Sequence, residues 1–133
     1  MEIRISNIND IENISKLMLN YYPSIINKNE FLKITQKILL NDLKNKKRIS
    51  YIILDKNKII GKIFIQIIDM LPNEFSLNIK FGYLSNLYIL PKYRGEKLSE
   101  KLINEIINYA KKNNLERLNI WTSNKTNNTF TKL

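Results

Sequence analysis

Among all stretches of the chain, Leu87-Tyr88-Ile89-Leu90-Pro91-Lys92-Tyr93-Arg94-Gly95-Glu96-Lys97-Leu98-Ser99 most constrains its fold. An apolar, strand-like run stops at a proline, turns through Arg94-Gly95 and enters a long amphipathic helical pattern. The first turn of a helix leaves backbone N–H groups without intrahelical partners, and the helix dipole adds about half a positive charge at that end. A junction of this kind is suited to receive phosphate. An ordinary strand-to-helix loop is the competing reading, so the surrounding chain has to decide.

At 133 residues the chain is read as one domain spanning residues 1–133, long enough to bury about two thirds of its unfolded surface. It carries no internal repeat and no Pro/Gly/Ser-rich linker. Its apolar runs fall far short of the ~20 residues needed to cross a bilayer, and Met1-Glu2-Ile3-Arg4 does not open a signal peptide, so no membrane partner and a cytoplasmic location are expected. The net charge of +10 invites a nucleic-acid reading. Against it, Ile, Lys and Asn together make up 62 of 133 residues, a bias of the kind AT-rich coding gives. The lysines are scattered and have no interleaved aromatics, so no nucleic-acid partner is expected; a positive field would still help capture a polyanionic ligand.

Absent residue types exclude more. Without cysteine there is no disulfide, thiolate metal site or thiol nucleophile, and without histidine no imidazole base or ligand. Cys-His and Ser-His triads are ruled out, and no metal is expected. Direct attack of an amine on a bound thioester needs neither residue, only positioning and proton transfer.

Periodicity predicts a strand over Glu2–Ser6, caps in Asn7–Asp10, and a helix burying Ile11, Ile14, Leu17 and Met18. Tyr21-Tyr22-Pro23 breaks it. A second helix opens at Asn29-Glu30 with a stripe of Phe31, Leu32, Ile34, Ile38, Leu39 and Leu43, and the two helices are expected on one side of a sheet. Ser50–Leu54 and Lys58–Ile68 flank the turn-forming Asp55-Lys56-Asn57 and read as a hairpin. A loop over Met70–Ser76 precedes a strand over Ile79–Leu90. The next helix runs from about Lys97 to Lys112, with Leu98, Leu102, Ile103, Ile106, Ile107 and Ala110 inward and Asn113-Asn114 at its C-terminal cap. Leu118–Thr122 reads as a strand parallel to the one at Leu87, and Lys125 onward reads as helical. The fold class is therefore α/β (α+β), in the order β-α-α-β-β-β-α-β-α.

This order, and the loop above all, resemble the GNAT superfamily of N-acetyltransferases, whose motif A places [Q/R]-x-x-G-x-[G/A] after a hydrophobic strand. Arg94 matches the first motif position and Tyr93-Arg94-Gly95 has the common Tyr-Arg-Gly form, whereas Lys97 stands where glycine is usual and Ser99 where Gly or Ala is usual. The resemblance implies a mixed, mostly antiparallel sheet flanked by helices, with acetyl-CoA as co-substrate. It further implies that Leu87, Tyr88 and Ile89 offer backbone groups to the pantetheine arm. Arg94, Gly95, Glu96, Lys97, Leu98, Ser99 and Glu100 would then surround the pyrophosphate, with Glu96 turned to solvent. Lys97 could pair with the pyrophosphate as a point charge. Asn124 would bond the pantetheine amide, and Phe130 stands where a thiolate-protonating tyrosine is usual.

The family's glutamate base has no counterpart: Phe81–Leu90 contains no acid, and the matching site on the following strand is Asn119. Tyr83 or Tyr88 could supply a hydroxyl, Ser85 or Asn86 could hold a relay water, and Glu74 or Asp69 could face an acceptor cleft. For each of these the alternative is ordinary packing or solvation. The expected activity is acetyl transfer to a primary amine of a small molecule or peptide in a ternary complex. A non-catalytic acyl-CoA-binding or regulatory domain is the alternative. The family's last strand is expected to be missing, leaving a sheet edge that a homodimer could cover.

Overall fold

The computed structural model describes residues 1–121 and 128–132, with Trp121 and residues 128–132 described by backbone alone. Its strands are β1 (Glu2–Ile5), β2 (Arg48–Asp55), β3 (Lys58–Met70), β4 (Ile79–Ile89), β5 (Arg117–Trp121) and β6 (Asn128–Lys132). Its helices are α1 (Ile11–Met18), α2 (Lys28–Lys44) and α3 (Leu98–Lys112). The strands form one sheet in chain order, antiparallel throughout except for the β4–β5 pair.

Local chemistry accounts for the boundaries. Asn7 and Asp10 form a capping box on the turn that leads into α1, and Arg4 holds the Asp10 carboxylate with two hydrogen bonds of 2.8 and 3.0 Å. The β2–β3 hairpin turns through Lys56 and Asn57, both at positive φ as a tight hairpin requires. Asn113 caps α3, its side chain donating to the Tyr109 carbonyl.

Because β3 is apolar on both sides, the sheet can be covered on both faces. On one face Leu102, Ile106 and Ala110 of α3 pack against Ile53, Ile63, Ile65, Leu84 and Leu118. On the other, Ile11, Ile14, Leu17 and Met18 of α1, joined by Leu39 of α2, cover Ile52, Leu54, Ile59 and Phe64. The four expected inward positions of α1 are all buried.

Two expectations need correction. In α2 only Leu39 is buried, while Ile34 and Ile38 are about half exposed, because the helix lies along α1 and β2 and has one narrow side covered. The stretch read as helical from Lys125 contains a strand, Asn128–Lys132, antiparallel to β5. Thr129 and Thr131 are β-branched and favour the extended chain, and the edge of β5 supplies the partner. No helix among the described residues is long and apolar enough to cross a membrane.

Leu102 is fully buried beneath the sheet. Leu102→Ala is expected to cost about 2–5 kcal/mol of unfolding free energy in denaturant titration; a loss below about 1 kcal/mol would contradict this packing.

Candidate active site

Strand β4 makes the site by leaving its neighbour. Among the described residues, parallel pairing with β5 runs from Gly82–Leu118 to Leu84–Ile120, while β4 continues to Ile89. At the same level β4 bulges against β3: Lys62 pairs with Tyr88 but Phe64 with Ser85, so Asn86 and Leu87 stand opposite Ile63 alone. Asn86 takes up the extra length at φ +55°, a conformation asparagine tolerates better than most residues. Beyond Leu84, β4 therefore has free backbone groups on its β5 side among the described residues, and Leu87 is 44% exposed there.

A cleft of about 270 Å³ opens on this edge, lined by Leu87, Tyr88, Ile89, Tyr93, Arg94, Gly95, Lys97, Leu98 and Ser99. Its floor is strand and its far wall is the start of α3. No side chain caps that helix, so the amides of its first turn are left for an acceptor from outside. Gly95 adopts φ +88° with open space where a Cβ would lie, so its glycine serves the backbone angle and not a close approach. Lys97 adopts φ +60° although it carries a side chain. The loop is tied down at its start: Tyr93 donates to the Asp55 carboxylate at 2.7 Å, and Arg94 Nε donates to the Ile89 carbonyl at 2.9 Å with its guanidinium 5.5 Å from the centre of the Tyr88 ring.

Behind Tyr88, on the α1 face, lies a polar group that was not singled out from the sequence. Lys62 of β3 is completely buried. Its ammonium position lies 2.6 Å from the Tyr21 hydroxyl and within hydrogen-bonding distance of the bulged Asn86 carbonyl, over the rings of Phe64 and Tyr21. No carboxylate pairs with it among the described residues. Burial alone brings its pKa down to about 7, and burial likewise pushes the Tyr21 phenol up. Tyr21 stacks on Tyr88 with ring centres 4.6 Å apart, and Tyr22 donates to the Asn86 side chain at 3.2 Å. The readable signal was a lone lysine in Ile59–Ile68, a run apolar on both strand faces.

The sequence profile of the acetyltransferase (GNAT) family matches residues 11–132. The chain belongs to this family. Solved structures agree at the level of fold. A predicted acetyltransferase from Clostridium acetobutylicum, solved with acetyl-CoA, is 24% identical with a TM-score of 0.75, over 92% of this chain and 81% of that one. A GCN5-related N-acetyltransferase from Ralstonia eutropha is 17% identical with a TM-score of 0.74, over 92% and 84%. A ribosomal-protein-alanine N-acetyltransferase from Brucella melitensis is 13% identical with a TM-score of 0.70, over 93% and 82%. A search of curated protein sequences gave no match.

Within this GNAT fold the expected residues separate into groups. Leu87, Tyr88, Ile89, Arg94, Gly95, Lys97, Leu98 and Ser99 come together around the cleft. Glu96 and Glu100 are exposed and do not line it. Ser85 sits just before the bulge, whereas Tyr83 lies further back in the paired part of β4, beside Gln66 and Asn119. Asp69 is at the distant end of β3 with Lys80 at 3.8 Å, and Glu74 is exposed in the following loop. The Asn119 side-chain oxygen is buried with no hydrogen-bond partner among the described residues. Asn124 lies outside the described residues, and Phe130, in register with Asn119, is described by backbone alone.

Two stability measurements check this geometry. A side chain in the left-handed region costs about 1–2 kcal/mol, so Lys97→Gly is expected to raise stability by about 1 kcal/mol in spite of glycine's freer unfolded chain; a net loss would argue against the left-handed turn. Folding of the native protein should strengthen as pH rises from about 7 towards 10.5, because there the unfolded chain holds a proton on Lys62 that the folded chain has lost. In Lys62→Met that rise should shrink, with the variant's advantage largest below pH 7; equal pH dependence in both proteins would show that Lys62 is not desolvated.

Proposed function

We propose that the protein is a cytoplasmic acetyl-CoA-dependent N-acetyltransferase, moving an acetyl group to a primary amine of a small molecule or peptide within a ternary complex. The observation that carries this reading is the continuity of two features, an unpaired strand edge at Leu87–Ile89 and an uncapped helix start at Leu98, along one cleft. An extended amide-bearing arm suits the first and a diphosphate suits the second.

The residues present fit acetyl-CoA. Backbone groups of Leu87, Tyr88 and Ile89 would hold the arm, and the amides of the Gly95–Glu100 turn would hold the diphosphate. Arg94 and Lys97 contribute cations at the rim, and the Ser99 hydroxyl can add a hydrogen bond. The bound thioester supplies an activated acetyl group. The chain supplies orientation and a place for the proton that an ammonium must lose before it can attack. Tyr88, whose ring borders both the cleft and the α1 face, is the better placed of the two strand tyrosines to act there; Ser85 beside the bulge is suited to hold a water.

Arg94→Glu tests the assignment. Reversing a charge at the diphosphate is expected to weaken acetyl-CoA binding about 10–100-fold in calorimetry, since a hydrogen bond to a charged group contributes about 1.5–3 kcal/mol. Stability should fall only by about 1 kcal/mol, the share of the bond to the Ile89 carbonyl. Unchanged affinity would remove the loop from the site. Release of CoA thiol with spermidine, an aminoglycoside, an amino acid or an alanine-terminated peptide would establish transfer; tight binding without release would identify an acyl-CoA-binding domain instead.

A further inference from the structure

Lys62 is a buried amine with no carboxylate paired to it among the described residues. A methionine would fill the same strand position without the cost of burying a cation. Its contacts have a direction. On one side the amine reaches the carbonyl of Asn86, the residue at which β4 bulges away from its neighbours. On the other it reaches the hydroxyl of Tyr21, 2.6 Å away, in the turn after α1. Tyr21 in turn borders an open cleft of about 600 Å³ together with Met18, Tyr22, Pro23, Ile25 and Phe31. Tyr88 joins the two sides, lining the β4 cleft while stacking on Tyr21. Tyr21 therefore borders the aromatic cleft and Tyr88 the β4 cleft, with the two rings 4.6 Å apart and the Lys62 amine hydrogen-bonded to the Tyr21 hydroxyl behind them.

We infer that Lys62, acting through the Tyr21 hydroxyl, is the proton acceptor for the incoming amine. This rests on the transferase reading above and names a group for a role that no carboxylate on Phe81–Leu90 or at Asn119 can fill. The acceptor enters from the aromatic cleft as an ammonium and gives one proton to the Tyr21 oxygen while the phenolic proton passes to the Lys62 amine. The freed nitrogen lone pair forms the C–N bond with the thioester carbonyl carbon. As the C–S bond breaks, its electron pair leaves on sulfur and a second proton from the nitrogen ends on that thiolate. Lys62 later returns its proton to solvent, so each turnover yields an amide, a thiol and one released proton. A pKa near 7, set by burial, with the phenols of Tyr21, Tyr22 and Tyr88 as the titratable groups of this cluster among the described residues, leaves the amine able to accept a proton at neutral pH.

The experiment is a pH series of kcat and KM, with acetyl-CoA and whichever amine of the panel above is acetylated, for the native protein, Lys62→Met, Lys62→Arg and Tyr21→Phe. For the native protein kcat should climb through about pH 7 and level off above it. Lys62→Met should keep acetyl-CoA affinity within about threefold, lose about 10²–10⁴-fold in kcat and lose the inflection near 7. Arginine retains a cation for the Asn86 carbonyl but does not deprotonate, so Lys62→Arg should be equally slow. Rescue by arginine would reveal a merely structural brace, and an inflection that survives in Lys62→Met would place the base elsewhere; either result overturns the assignment. A native kcat that is flat from pH 6 to 8 does so without any variant. Native protein that binds acetyl-CoA yet acetylates no amine defeats the transferase reading itself and this role with it, whereas turnover that persists in Lys62→Met defeats this role alone.

Discussion

The site depends on a three-residue limit to the pairing of β4 with β5. From Gly82 to Leu84 the two strands share hydrogen bonds, and Gly82 leaves room there for Ile65 and Leu118. Among the described residues that pairing ends at Leu84, and the left-handed Asn86 shifts β4 out of register with β3. Backbone groups that a regular sheet would satisfy internally are left facing a cleft, where an unpaired donor or acceptor has to find a partner from solvent or ligand. Everything that follows in the chain is arranged around that opening: the proline stop, the loop tied to Asp55, and the uncapped start of α3.

Positive charge in this site is handled in two ways. At the rim, Arg94, Lys97 and the helix start are accessible and suited to a polyanion, where exposed charges gain affinity without much folding cost. Behind the strand, Lys62 is sealed among aromatic rings, where the charged form is penalised and the neutral amine favoured. The same residue type is thus placed at an accessible rim on one side of Tyr88 and, on our proposal, exchanges protons on the other. The difference comes from burial alone.

Much of this was legible in the sequence. Strand and helix order through β5, the tight hairpin at Lys56-Asn57, the capping of α1 and the inward face of α3 all follow from periodicity and turn chemistry. The loop motif was readable too, and most of its residues converge on the cleft. Less legible was the role of Tyr21-Tyr22, which reads locally as a helix break but brings two hydroxyls to Lys62 and Asn86, residues 41 and 64 positions away. Lys62 itself reads as one polar residue in a strand; only pairing with Ile52 and Tyr88 on both flanks and coverage by the α1 face bury it. The terminal segment misled because asparagine and threonine give no periodicity, and its state is decided by a partner strand rather than by local preference.

On our proposal the edge of β4 beyond Leu84 and the start of α3 form one binding surface for coenzyme A. Backbone amide chemical shifts recorded while acetyl-CoA is titrated into the isotope-labelled protein test this most directly. The largest changes are expected at Leu87, Ile89 and Gly95 through Glu100, saturating together with a single affinity. Changes centred elsewhere, for example on the exposed loop of Leu71, Phe75 and Leu77, or none along Leu87–Ile89, would contradict it.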